Sequence, residues 1–186
     1  MRGRRRLFRD LDVALERGSI TWLRGANGSG KTSLLRILAG VSKPESGEVI
    51  CDGTPVAYLA HANALKDDLT LGEALAFHAR LQGLDAEPGQ VRTALERLGI
   101  ADRADAAVRT LSQGQRRRGA LARLALDDMP RVWLLDEPFD ALDADGIERA
   151  AALVEGNAAR GGAVLLTSHQ AVELARLRPI DLGAHA

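Results

Sequence analysis

The run Gly25, Ala26, Asn27, Gly28, Ser29, Gly30, Lys31, Thr32 constrains this chain more than any other stretch. Its glycines let the backbone wrap with the N–H groups pointing inward, and the Lys-Thr pair ends the loop where a helix can start. The flanks fit that reading. Ser19 to Arg24 reads as a strand with Gly18 as the turn before it, and Lys31 to Ala39 carries Leu34, Leu35 and Leu38 at helical spacing before Gly40. A helix N-terminus at such a loop is a ready anion site. Lys31 is placed to reach β- and γ-phosphates, the Thr32 hydroxyl to ligate Mg²⁺, and Ser33 opens the helix beside them.

Later segments extend the same architecture. Pro44 to Gly47 reads as a turn, Glu48 to Cys51 as a short strand closed by Asp52 and Gly53, and Val56 to Ala60 as another strand. From about Leu71 to Ala125 the pattern turns helical, with Leu71, Ala74, Leu75 and His78 on one face and Val91, Leu95 and Leu98 on another. Strand and helix then alternate: Arg131 to Leu135, Ala144 to Arg160, Ala163 to Thr167, and a last helix over Gln170 to Leu177. Strands that are apolar throughout, alternating with helices, predict an α/β fold: a mostly parallel sheet flanked by helices. The expected division is one domain, residues 1–186, with residues 1–60 and 126–186 forming the sheet core. A helical lobe is inserted at about residues 61–125.

Composition excludes several classes. A chain of 186 residues, 46% hydrophobic, has the length and apolar content of a globular domain. Its 25 Lys+Arg balance 25 Asp+Glu, so no overall field favours nucleic acid as a partner. The lone Cys51 allows no internal disulfide. No apolar run approaches the roughly 20 residues of a membrane-spanning helix. The basic start at Arg2, Arg4, Arg5 and Arg6 lacks the apolar core and cleavage site of a signal peptide, and Asp10, Asp12 and Glu16 interrupt it; it reads as a solvated basic face.

A phosphate cradle alone hydrolyses nothing. Asp136 ends the apolar run Val132 to Leu135, where a second Mg²⁺ contact is expected, and Glu137 follows at once, placed to orient water as a general base. Ser112, Gln113, Gly114 and Gln115 follow Leu111, and Ser112 with Gln115 also fits a helix capping box.

Leu111 to Gln115 resembles the signature sequence of the ABC-type ATPases, with Gln113 where Gly is usual. The phosphate loop, the signature, the Asp136-Glu137 pair, Asp143 in a D-loop and His169 as switch histidine occur in that family's order. The resemblance implies ATP and Mg²⁺ as ligands and a head-to-tail homodimer in the ATP-bound state. In it, the signature completes the partner's nucleotide site, His169 contacts the γ-phosphate and Asp143 connects the two sites. Two departures stand out. His61 takes the place of the family's loop glutamine near Mg²⁺; imidazole can donate or accept and titrates near neutrality. Ahead of the Ser19 to Arg24 strand, Phe8 is the only aromatic, and it looks misplaced for stacking on adenine. Either base stacking is weaker, or the natural start lies further upstream.

The strings Ala60 to Thr70, Leu111 to Leu124, Trp133 to Pro138 and Thr167 to Gln170 resemble one subfamily, the ATP-binding subunit of the bacterial haem exporter of cytochrome c maturation. That implies integral membrane permease subunits as partners, a site at the cytoplasmic face of the inner membrane, and indirect action on a periplasmic haem chaperone. The four histidines are too scattered for a haem site of the chain's own. Two other readings stay open: an ATPase of another ABC transporter, and an ABC ATPase without a transporter, as in iron–sulfur assembly. A DNA-repair type needs long coiled-coil insertions, and the signature at Ser112 and Gly114 disfavours a kinase or GTPase.

Overall fold

The computed structural model describes residues 7–84, 87–170 and 172–185, so the basic run Arg2 to Arg6 lies outside the described residues. Five parallel strands form one sheet: β1 (Ile20–Arg24), β2 (Val56–Leu59), β3 (Val132–Leu135), β4 (Ala163–Leu166) and β5 (Leu177–Asp181), in the order β2-β3-β4-β1-β5. The central β4 is buried at every position, as a strand covered on both faces must be. The edge strands β2 and β5 carry exposed positions.

The helices are α1 (Lys31–Leu38), α2 (Leu71–Leu81), α3 (Pro88–Arg97), α4 (Gln113–Ala122) and α5 (Ala144–Ala159). No helix among the described residues is long and apolar enough to cross a membrane. By its internal contacts the chain divides into two compact units. The first comprises residues 1–60, 129–137 and 155–186, and holds the sheet. Its core packs Leu34 and Leu35 of α1 against Leu23, Leu134 and Leu165, with Leu182 closing the cluster. The second comprises residues 61–128 and 138–154. There α2, α3 and α4 bury Leu71, Leu75, Leu95, Leu98 and Leu121, and a Cβ on Gly119 would come within 2.6 Å of Leu71. Thr70 and Glu73 cap α2 reciprocally, satisfying two N–H groups that the helix start leaves unpaired.

Two expected elements are absent among the described residues. Gln170–Leu177 forms no helix, although Ala171 itself lies outside the described residues. The Ser168 hydroxyl accepts from the Gln170 N–H at 3.0 Å, and Arg176 takes φ +62°. The chain then enters β5, pairing Leu177 with Ile20. Pro179 is tolerated there because β5 is an edge strand. Residues 48–51 are not a strand either: Val49 and Ile50 are exposed and pair with nothing described.

Candidate nucleotide site

Three strands of the sheet deliver the site at their carboxyl ends, where parallel α/β sheets place their ligands. β1 runs into the glycine loop, β3 into Asp136 and Glu137, and β4 into Thr167, with β4 lying between the other two. Gly25, Gly28 and Gly30 all have positive φ, and a Cβ on Gly25 would approach the Ser29 hydroxyl to 2.7 Å. The loop therefore needs glycine there for both conformation and space. Ser29 Oγ is buried without a hydrogen-bond partner, an unsatisfied polar atom inside the cradle. Lys31 folds back so that Nζ donates to Gly25 O at 2.7 Å and Ala26 O at 3.2 Å. Phe8 packs behind the loop, where a Gly30 Cβ would come within 3.1 Å of its ring. That packing against the core cluster accounts for the aromatic upstream of the loop.

Opposite the loop stands a short polar chain. Thr32 Oγ1 donates to Asp136 Oδ2 at 2.8 Å, and Thr167 Oγ1 donates to Asp136 Oδ1 at 2.9 Å. The same Thr167 oxygen accepts from the Glu137 N–H at 2.9 Å. Asp136 and Thr167 are both buried. The Asp136 charge reaches its surroundings: burial first, then that carboxylate, push the Tyr58 hydroxyl above its ordinary pKa. Glu137 has φ +50°, a left-handed backbone that costs a non-glycine residue about 1–3 kcal/mol. Its carboxylate accepts from the His169 N–H at 2.9 Å and lies 3.3 Å from His169 Nε2. Thus Lys31, Thr32, Asp136, Glu137 and His169 converge within the sheet unit. Little in the sequence pattern singles out Thr167, whose hydroxyl ties Asp136 to the Glu137 backbone. A buried hydroxyl at the end of an all-apolar strand was the one available signal.

The residues present fit Mg²⁺. A hydroxyl and a carboxylate within hydrogen-bond distance are hard oxygen donors, and this ion commonly uses one or two protein oxygens, completing its shell with phosphate and water.

The signature lies in the second unit. Ser112 caps α4: its Oγ accepts from the Gln115 N–H at 3.2 Å, and the Gln115 amide oxygen accepts from the Ser112 N–H at 2.9 Å. A Cβ on Gly114 would meet Ala141 O at 2.7 Å, so the close pass of this loop already demands glycine there. Asp143 accepts from the Gly146 N–H at 3.0 Å, as a helix N-cap does at the start of α5. Arg118, then that N–H, hold the Asp143 carboxyl below its ordinary pKa. His61 is exposed, and its carbonyl accepts from the buried Arg117 at 3.4 Å.

A five-stranded parallel sheet with a glycine phosphate loop following β1 defines a nucleotide-binding ATPase of the phosphate-loop class. Residues 8–140 match the ABC transporter family. A cytochrome c biogenesis ATP-binding export protein CcmA of Albidiferax ferrireducens is 45% identical over 184 residues, covering 93% of this chain and 87% of that one. Its namesake in Haemophilus influenzae is 41% identical, covering 99% and 92%. Among solved structures, a putative ABC transporter ATP-binding protein from Pyrococcus furiosus superposes with TM-score 0.80 at 25% identity, covering 92% of this chain and 88% of that one. The dimeric bacterial ABC transporter cassette MJ0796 superposes with TM-score 0.82 at 22% identity, covering 95% and 87%, which shows the fold. The chain belongs to the ABC transporter ATPases and, within them, to the CcmA family of cytochrome c biogenesis ATP-binding export proteins.

Proposed function

We propose that this chain is the ATP-hydrolysing subunit of a membrane complex for cytochrome c biogenesis, docked on permease subunits at the cytoplasmic face of the inner membrane. The observation that carries hydrolysis is the chain Thr32–Asp136–Thr167–Glu137–His169, which joins a metal-binding pair to a carboxylate facing a histidine. Family membership carries the cytochrome c role.

In this reading Ala26 to Gly30 wrap the ATP phosphates with backbone N–H groups, and the Ser29 hydroxyl finds its missing partner there. Lys31 exchanges its loop carbonyls for phosphate oxygens. Thr32 and Asp136 would hold Mg²⁺, which would supply positive charge to neutralise that developing on the phosphates. Glu137 accepts the proton of the attacking water, and His169 holds Glu137 and the γ-phosphate in register. By motif order, His61 takes the place of the family's loop glutamine. The signature residues Ser112 to Gln115 close on the nucleotide of a second copy, and Asp143 links the two sites. Hydrolysis removes the bridging γ-phosphates, so the pair reopens and moves the permease, driving haem release from a periplasmic carrier.

The test is Glu137→Gln in the native host, with membrane proteins stained for covalent haem. Loss of c-type cytochromes with haem accumulating on a periplasmic carrier is expected. Unchanged c-type cytochromes would assign the chain to another transporter.

A further inference from the structure

Arg118 sits on α4, one turn beyond the signature, and only 11% of its side chain is exposed. Its guanidinium ties together three separate segments. It donates to the Asp143 carboxylate, to Asp145 Oδ2 at 2.7 Å, and to the carbonyl of Leu98 at 3.0 Å. Two glycines clear its space. A Cβ on Gly99 would come within 2.9 Å of Arg118 Nη1, and one on Gly146 within 3.1 Å of its Nε. A third, Gly114, lets α4 approach the carbonyl of Ala141, whose own φ is +60°. The segment 141–146 is thus pinned to α4 at both ends: by close packing at Ala141, and by a forked ion pair at Asp143 and Asp145. A planar guanidinium serves both carboxylates at once, which an ammonium does not. Ser112, Gly114, Asp143 and Arg118 line one cleft of about 500 Å³.

We propose that Arg118 is a positioning residue that latches the signature helix to residues 141–146, so that Ser112, Gly114 and Asp143 meet the nucleotide held by a second copy as one rigid piece. This rests on the two-copy reading above. Arg118 touches no nucleotide. It sets how tightly ATP holds two copies together, and leaves each copy's own phosphate loop unaltered.

The experiment measures ATP-driven dimerisation of full-length Glu137→Gln protein by analytical ultracentrifugation, alone and combined with Arg118→Gln, Asp143→Asn or Asp145→Asn. A fluorescent ADP analogue reports each copy's own loop. Arg118→Gln and Asp143→Asn are each expected to weaken the dimer by more than about threefold, within the span known for coupling residues, with ADP affinity unchanged within that factor. Asp145→Asn, which breaks the other arm of the fork and the Asp145–Arg149 pair, is expected to weaken the dimer as well, with ADP affinity likewise unchanged. If Arg118→Gln does not fold, Arg118→Lys, which keeps the charge but cannot serve both carboxylates at once, carries the same test. Dimers unweakened by Arg118→Gln or Asp143→Asn overturn the latch. So does a loss of ADP affinity in parallel with the weaker dimer, which would make the network merely structural. A Glu137→Gln parent that forms no ATP-dependent dimer overturns the two-copy reading, and the latch with it.

Discussion

Thr167→Val isolates the polar link at the heart of the site. Thr167 is fully buried, and one oxygen both donates to Asp136 at 2.9 Å and accepts from the Glu137 N–H at 2.9 Å. Valine keeps the shape, so no cavity opens. It removes a hydrogen bond to a charged group, typically about 1.5–3 kcal/mol, and strands an N–H, which costs about 1–3 kcal/mol. Both losses fall on one atom and overlap, so about 2–4 kcal/mol of stability is expected to go. In a chain of this length that lowers Tm by about 5–15 °C. Thr167→Ser keeps the hydroxyl and deletes one methyl, for about 1 kcal/mol. Activity should separate the pair further. The Glu137 backbone sits at φ +50° with Thr167 as an anchor, so valine should lower kcat by about ten- to a hundredfold while serine stays near the parent. The assays are thermal unfolding by circular dichroism without nucleotide, and steady-state phosphate release. Valine and serine variants with matching Tm and matching kcat would refute the reasoning.

Gly114→Ala should lower the urea midpoint of the nucleotide-free protein by the equivalent of about 1–3 kcal/mol, because its Cβ would lie 2.7 Å from Ala141 O; a raised midpoint would show that helix propensity wins instead. His78 gives a pH signature. Burial, then the Arg123 charge, lower its pKa from 6.5 to about 4. Between those values the unfolded chain takes up a proton that the folded one refuses, so stability falls as pH drops from about 6.5 towards 4. Allowing for solvent around the half-buried ring, the loss is about 1–2 kcal/mol, and His78→Gln should remove that part of the slope in urea titrations at pH 7 and pH 4.5.

Much of this arrangement is written locally in the chain. The glycine loop, its strand and its helix follow from adjacent residues, as do the all-apolar β3 and β4, whose burial leaves no polar face to confuse the period. The Ser112–Gln115 cap is legible at spacing three for the same reason. What the sequence hides is long-range. Leu177 reads as the end of a helix begun at Gln170, yet β1 offers an edge and takes Leu177–Asp181 as β5. Val49 and Ile50 have the β-branched content of a strand, but no described strand lies beside them. Thr167 and Arg118 act through partners 30 and 25 residues away, a distance over which no periodicity carries information.

The backbone at Glu137 has an evolutionary corollary. A left-handed φ suits glycine or asparagine better than glutamate, so the protein holds its carboxylate there against the preference of its own main chain. In the mechanism proposed above, selection for turnover keeps it there, beside its contacts to His169. In a duplicated copy released from that duty, drift at this position runs downhill: a change to glycine relieves the turn and discards the chemistry in one step. Loss of hydrolysis is then not a wound that such a lineage must repair but a relaxation it settles into, and the way back climbs the same slope.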